Sequence, residues 1–336
     1  LVVHALTADA RVGGEEGWWA PLVGPGRPLD PTGARVVCFN NLGSCYGTFG
    51  PGDVGFPRRA QVLGPRAPRD LKGSFAQAEA SLPAPITPWD QARTILLGLD
   101  ALGIEYVDVV LGGSLGGMIA LCLAALAPER FGQVLPVATS DAASPWVLGF
   151  NHIGRQAILD FGERGLELAR QVAHLSYRSE RGLEARQGRA QANGGRGLLW
   201  PYKAQTYLEY QGAKLRRRFL STAYLAQLDA MDHHDLGRRP PEPESHERWR
   251  GGPGPDGRWG HARVQAVIRA AAIREDVLFP PAQLERLVLE LRHRRVDASL
   301  RLLDHAQGHD GFLLATDAIG RLVRDALRTP ADGRAA

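Results

Sequence analysis

The stretch "YVDVVLGGSLGGMIALCLAALAPERF", residues 106–131, constrains the fold of this chain more than any other. A continuous apolar run of strand length meets two glycines, a serine and two more glycines. An apolar helix-length run then continues to Pro128. Gly112, Ser114 and Gly116 spell G-x-S-x-G between a predicted strand and a predicted helix, the context in which a serine is presented on a sharp nucleophile elbow. The pattern recurs by chance; its position between strand and helix gives it meaning. The plain alternative is a small residue in a tightly packed bend, and choosing between them requires a base and an acid later in the chain.

The rest of the chain reads as alternating strands and helices. "LVVHALTA" (1–8) and "ARVVCFNN" (34–41) are short β-branched runs expected as buried strands, and "NLGSCYGTFGPGDVGFP" (41–57) is a Gly-rich loop. A helix is expected over 87–102, opened by Thr87 with Pro88 at its first position and closed at Gly103. A strand follows at 106–113, a helix from 115, and a strand at 132–139. This alternation predicts an α/β fold with a mostly parallel sheet and helices on both faces. From 143 to 261 the patterns are helical, ending in the Pro/Gly/Arg-rich "RRPPEPESHERWRGGPGPDGRWG". Strands return at 262–273 and 298–304, around the helix "PPAQLERLVLELRHRR", and a last helix is expected at 318–328. The expected organisation is a core of residues 1–142 and 262–336, interrupted by a helical lid over 143–261. Such a lid would cover the sheet edge where ligands of parallel sheets bind.

Composition narrows the partners. The chain has 336 residues, 44% of them hydrophobic, enough for a sizeable core. Its 40 Lys and Arg against 36 Asp and Glu leave a net charge of +4 with no dense basic block, so no nucleic-acid partner is expected. No apolar stretch approaches the roughly 20 residues of a membrane helix, and no basic segment precedes the first apolar run. Cys38, Cys45 and Cys122 are too few and too scattered for a disulfide framework or a four-ligand zinc site. Reduced thiols and a cytoplasmic location are the simplest expectation. His233, His234 and Asp235 could touch a metal, but adjacent helical histidines diverge, and no metal site is expected.

A serine nucleophile needs an aligned base, held in turn by an acid. After the strand at 262–273, "REDVLFPP" puts Asp276 in a loop; after that at 298–304, "HAQGHDGF" does the same for His309. Both fall on the rim expected for Ser114, in the order serine, acid, histidine. Glu275 competes with Asp276 for the acid role, and His305 is read as structural. For the oxyanion, the amide of Leu115 opens the helix and the amide of Leu6, in "HALTA", follows an early strand.

Several stretches in this order resemble the homoserine O-acetyltransferase family of α/β-hydrolase-fold acyltransferases: "HALTADARVGG", "NNLGSCYGTFGP", "GGSLGGMIAL", "FNHIGRQAIL", "LARQVAHLSYRSE", "YLEYQGAKLRRRF", "HDLGRR", "DVLFPP" and "GHDGFL". The resemblance implies an α/β-hydrolase fold, with Ser114 as nucleophile, Asp276 as acid and His309 as base. It also implies an amino-acid site in which Arg170 binds the substrate, Tyr177 lies close by, and Asp310 takes the ammonium. From the residues alone, Arg170 reads equally as the solvated face of an amphipathic helix. The activity implied is acetyl transfer from acetyl-CoA to the hydroxyl of L-homoserine in methionine biosynthesis. Acetyl-CoA would be a co-substrate, no cofactor would be bound permanently, and the chain would form a homodimer through the helical insertion. Members carry residues ahead of "HALT", so the resemblance also implies that the first strands of the core are missing here. Two further departures are an insertion shortened between 158 and 166, and "NNLGSCYG" where "NVLGGCQG" is more usual.

Succinyl as the acyl group and L-serine as the acceptor stay open, because the changed loop lies near the expected acyl pocket. So does a serine esterase or thioesterase, since elbow and triad serve water as readily as an alcohol. A non-catalytic binding protein is the third alternative. An intact serine, acid and histidine in order counts against it.

Overall fold

A computed structural model describes residues 1–58, 83–238 and 259–329. Five parallel strands form one sheet in sequential order: β1 (Val2–Val3), β2 (Val107–Gly113), β3 (Phe131–Val137), β4 (Val267–Ile273) and β5 (Ala298–Leu303). The register pairs Val3 with Gly112, Gly113 with Val137, Val137 with Ala271, and Ile273 with Leu303. The strands therefore end nearly level, and the segments leaving β2, β4 and β5 emerge on one rim.

Side chains alternate across the sheet with the period of two that a strand imposes. In β4, Ile268, Ala270 and Ala272 enter one apolar cluster, while Ala271 and Ile273 enter the other. The first cluster is covered by α1 (Pro88–Ala101) and α2 (Leu115–Leu126). The second packs against Trp19 and Leu22 and a C-terminal helix carrying Ile319 and Val323. Every residue of α2 is buried, which explains why its sequence is apolar on all sides. Thr87 caps α1 and Asp90 returns the bond, so the expected start of that helix coincides with a capping box. Gly103 just beyond it has φ +64°, the left-handed stop a glycine permits.

Between β3 and β4 run α3 (Pro145–Tyr177), α4 (Glu180–Arg186), α5 (Lys203–Arg216) and α6 (Ser221–Asp232). The helical patterning expected from 143 onward is interrupted at Gly162, whose φ of +56° breaks α3 into two helices. Gly165 lets them meet closely, since a Cβ there would lie 1.9 Å from the Ala157 carbonyl oxygen. Arg155 on α3 reaches Asp229 and Asp232 of α6 at 3.0 and 2.5 Å. Gln91 on α1 donates to Gln227 on α6 at 2.9 Å, and both amides also donate to the carbonyl of Leu42. These buried bonds anchor the helical segment to the sheet layer. After β4 come α7 (Pro281–His293), the short α8 (Gly311–Leu314) and α9 (Thr316–Arg328), the C-terminal helix of the second face.

Three expected strands are corrected. That at 262–273 begins only at Val267, after a turn in which the Arg263 amide donates to the Gly260 carbonyl. The run at 1–8 is a strand only at Val2–Val3, because the chain turns at Ala5, whose carbonyl accepts from Ala8. The run at 34–41 is no strand, contributing one bridge from Cys38 to Val2. Its polar end is committed elsewhere: Asn40 accepts from Ala10 at 2.7 Å, and the amide of Asn41 donates to His4 Nε2 at 2.9 Å. The expected loop at 238–260 lies outside the described residues at 239–258. No helix among the described residues is long and apolar enough to cross a membrane.

Candidate active site

Ser114 sits between β2 and α2 with φ +56° and ψ −125°, a strained conformation for any residue with a side chain. The strand and helix hold it there. Its amide donates to Val137 on β3 at 2.9 Å, and its carbonyl accepts from Gly117 at 2.9 Å. A Cβ on Gly112 would lie 2.2 Å from the Gly116 carbonyl oxygen, and one on Gly116 would lie 2.2 Å from that of Val3. The two glycines of the motif are thus steric requirements of the turn.

His309 Nε2 lies 3.0 Å from Ser114 Oγ, and His309 Nδ1 lies 2.7 Å from Asp276 Oδ2. The other oxygen of Asp276 accepts from the amides of Leu278 and Phe279, both at 2.9 Å, which fixes the carboxylate in the turn after β4. All three side chains are buried. Tyr177, Phe279 and Phe312 surround the imidazole with ring centroids 5.2–5.5 Å away. Glu275, the competing acid, turns instead to Arg181 at 2.5 Å. His305 accepts from the Gln307 amide at 3.3 Å, a bond within its own loop.

Leu115 is the first residue of α2, where the helix dipole favours an anion. Leu6 lies in the turn after β1, where the carbonyls of Val3 and His4 press against Gly116. Among the described residues no acceptor takes a hydrogen bond from the amide of Leu6 or Leu115. His4, to which the sequence reading gives no role, holds this turn. Its Nδ1 donates to the Ala5 carbonyl at 2.8 Å while Nε2 accepts from Asn41. Burial pushes its pKa down to about 4, so the ring stays neutral and can do both.

Two of the residues expected at the acceptor site, Arg170 and Tyr177, lie on α3, and the third, Asp310, lies in the loop after β5. The Arg170 guanidinium lies over the Tyr177 ring, 5.4 Å from its centroid, and its buried Nε has no partner. Tyr177 in turn faces His309. Asp310 forms an ion pair with Arg178 at 3.0 Å, a partner that the sequence pattern does not mark. Burial pushes the Asp310 carboxyl up, while Arg178, His309 and Arg170 pull it down. Arg170, Tyr177 and Asp310 are thereby gathered around the buried histidine. The one signal for Arg178 is its place between Tyr177 and the helix-capping Ser179 in "LSYRSE". His233 and His234 approach different carbonyls, those of Asp229 and Ser140. No group of three His, Cys, Asp or Glu poised for a metal occurs among the described residues.

A family model for the alpha/beta hydrolase fold matches residues 1–296. The chain is 35% identical to a homoserine O-acetyltransferase of Thermus thermophilus, covering 96% of this chain and 80% of that one. It is 32% identical to the same enzyme of Moorella thermoacetica, covering 98% and 85%. Among solved structures, the homoserine O-acetyltransferase of Bacillus anthracis superposes with a TM-score of 0.74 at 18% identity, over 98% of this chain and 89% of that one. The esterase E22 superposes as well, with a TM-score of 0.75 at 15% identity, over 97% and 88%. Fold likeness at such identity does not separate transferase from esterase.

Proposed function

The chain belongs to the homoserine O-acetyltransferase family of alpha/beta hydrolase-fold enzymes, and from that premise we propose that it transfers acetyl from acetyl-CoA to the hydroxyl of L-homoserine through an acetyl-serine at Ser114. The observation that carries this reading is the hydrogen-bonded chain from Ser114 through His309 to Asp276, set beneath a lid bearing Arg170 and Tyr177.

With its Nδ1 proton held by Asp276, His309 offers a bare Nε2 to the Ser114 hydroxyl. Oγ attacks the thioester carbonyl as His309 takes its proton. The amides of Leu6 and Leu115 stabilise the resulting oxyanion. The carbon–sulfur bond then breaks, and His309 returns the proton to the departing thiolate of coenzyme A. In the second half the imidazole takes the proton of the homoserine hydroxyl, whose oxygen attacks the acetyl carbonyl. Ser114 leaves with that proton, and O-acetylhomoserine is released. Arg170 is assigned to the acceptor carboxylate and Asp310 to its ammonium, with Tyr177 between them, which suits a zwitterion at both ends. Succinyl as the acyl group and L-serine as the acceptor are the nearest variants. The Thermus and Moorella relatives both bear the acetyl and homoserine name. Exposed Trp146, Ile153, Phe161 and Tyr210 on the lid helices support a homodimer through this segment.

The test incubates the protein with acetyl-CoA or succinyl-CoA, with and without homoserine or serine, and follows thiol release together with product mass. O-acetylhomoserine as the dominant product supports the assignment. Thiol release that ignores the acceptor and yields free acetate makes the protein a thioesterase.

A further inference from the structure

The lid meets the loop after β5 residue by residue. Tyr177 faces His309, Arg178 reaches Gln307 and Asp310, and Ser179 donates to the carbonyl of Ala306. Gly308 makes room for this, for a Cβ on it would lie 2.7 Å from the Ser179 amide nitrogen. At the centre Arg178 engages all three of its guanidinium nitrogens. Nη2 binds Asp310 Oδ2 at 3.0 Å, Nη1 donates to Gln307 Oε1 at 2.7 Å, and Nε donates to the Tyr207 hydroxyl at 3.1 Å.

The Tyr207 oxygen accepts from Nε and shares a further hydrogen bond with His174 Nδ1 at 3.2 Å. Burial, with Arg170, Arg178 and Lys214 nearby, pushes the His174 pKa down to about 2, so the ring stays neutral. The guanidinium is thus braced on two sides and presents its remaining edge to Asp310. Only Oδ2 of that carboxylate is held. Among the described residues none donates to Oδ1, and the side chain keeps 12% exposure. Arg178 is the largest of the pulls that offset the burial of Asp310, ahead of His309 and Arg170, so losing it favours the protonated form, which attracts an ammonium less.

We propose that Arg178 is the positioning residue of the acceptor site: by clamping Oδ2 it fixes the Asp310 carboxylate and turns Oδ1 toward the acceptor's ammonium, an inference that rests on the acyl-acceptor reading above. Arg178 touches no reacting atom in this scheme. Its removal should weaken acceptors that carry an ammonium and spare those that lack one, a selectivity that a clasp merely holding the lid down does not produce.

The test is a pair of calorimetric titrations on Ser114→Ala protein, one with homoserine and one with 4-hydroxybutanoate, which is homoserine without its amino group. Adding Arg178→Met is expected to weaken homoserine binding by about 30-fold or more and 4-hydroxybutanoate by less than about threefold, as for loss of one partner of a buried charge pair. Should that variant fail to fold, Arg178→Lys carries the same comparison. It keeps the charge but not the three-way fork, and is expected to cost homoserine about fivefold selectively. Equal losses for both ligands, unchanged homoserine binding, or no homoserine binding before Arg178 is altered would overturn the proposal. The thiol burst with acetyl-CoA in protein that retains Ser114 reports separately. Its absence would strike the acyl-serine reading and leave the binding comparison standing.

Discussion

The elbow after β2 and the seam between the lid and the loop after β5 meet at His309, yet they are built in different ways. At the elbow the backbone sets the geometry. Ser114 holds its left-handed φ because Gly112 and Gly116 let β2, α2 and the chain after β1 close to within atomic contact. At the seam long side chains set it: Arg178, Tyr207, Gln307 and Asp310 come from segments up to 132 residues apart and hold one another by hydrogen bonds and an ion pair. A backbone turn of this kind can serve many substrates, since it fixes only where the nucleophile stands. On the acceptor reading proposed above, the side-chain network is where acceptor choice is written, and the two regions should therefore fail differently when altered.

The largest effect is expected at the elbow. Ser114→Ala should lower turnover by about 10⁴-fold or more and abolish the thiol burst, with any acceptor present. Asp276→Asn should cost about 10⁴-fold in kcat by setting the wrong imidazole tautomer. Glu275→Gln, one residue away and paired with Arg181, should stay within about threefold. Steady-state kinetics on this neighbouring pair checks whether the acid role belongs to position 276 alone.

Stability against pH joins both regions. His4 behind the elbow and His174 behind the seam are held neutral, with pKa values lowered by burial to about 4 and about 2, and His234 is likewise lowered to about 4. An unfolded chain binds protons at these sites near pH 6.5, where the folded protein does not. Their contribution is complete above about pH 6.5 and is lost as the pH falls, down to about 4 for His4 and His234 and about 2 for His174, by about 2 kcal/mol per histidine between pH 7 and 5. Urea unfolding at the two pH values measures this slope. His4→Gln and His174→Gln should each flatten it; a slope unchanged in either variant would contradict the burial of that ring in neutral form. The smallest effect is expected at the edge of the seam. Ser179→Ala removes the cap of α4 and the bond to Ala306, costing about 1 kcal/mol of stability. It should raise the KM for homoserine a few-fold and leave the burst unchanged.

This contrast also accounts for what could be read from the sequence. The elbow was legible because its requirements are local: a strand, small residues two positions either side of a serine, and an apolar helix. Asp276 and His309 were legible because a parallel sheet delivers the residues after its strands to one rim. The edge of the sheet was not, since β-branched residues at 34–41 give a strand-like pattern whether or not their backbone finds a partner. The one bridge at Cys38 is the whole pairing there. His4 and Arg178 stayed hidden for another reason. A buried neutral histidine and a buried paired arginine look, in one sequence, like any others. Their partners Asn41 and Asp310 lie 37 and 132 positions away.

The central claim is that Ser114 carries the acetyl group between donor and acceptor, and intact-protein mass spectrometry with peptide mapping tests it most directly. Mixing with acetyl-CoA alone should place one acetyl group on the peptide containing Ser114. Adding homoserine should discharge it within the turnover time as O-acetylhomoserine, and Ser114→Ala protein should never acquire it. Coenzyme A release without a Ser114-bound acetyl group, or an adduct lost to acetate equally fast whether or not homoserine is present, would contradict the account.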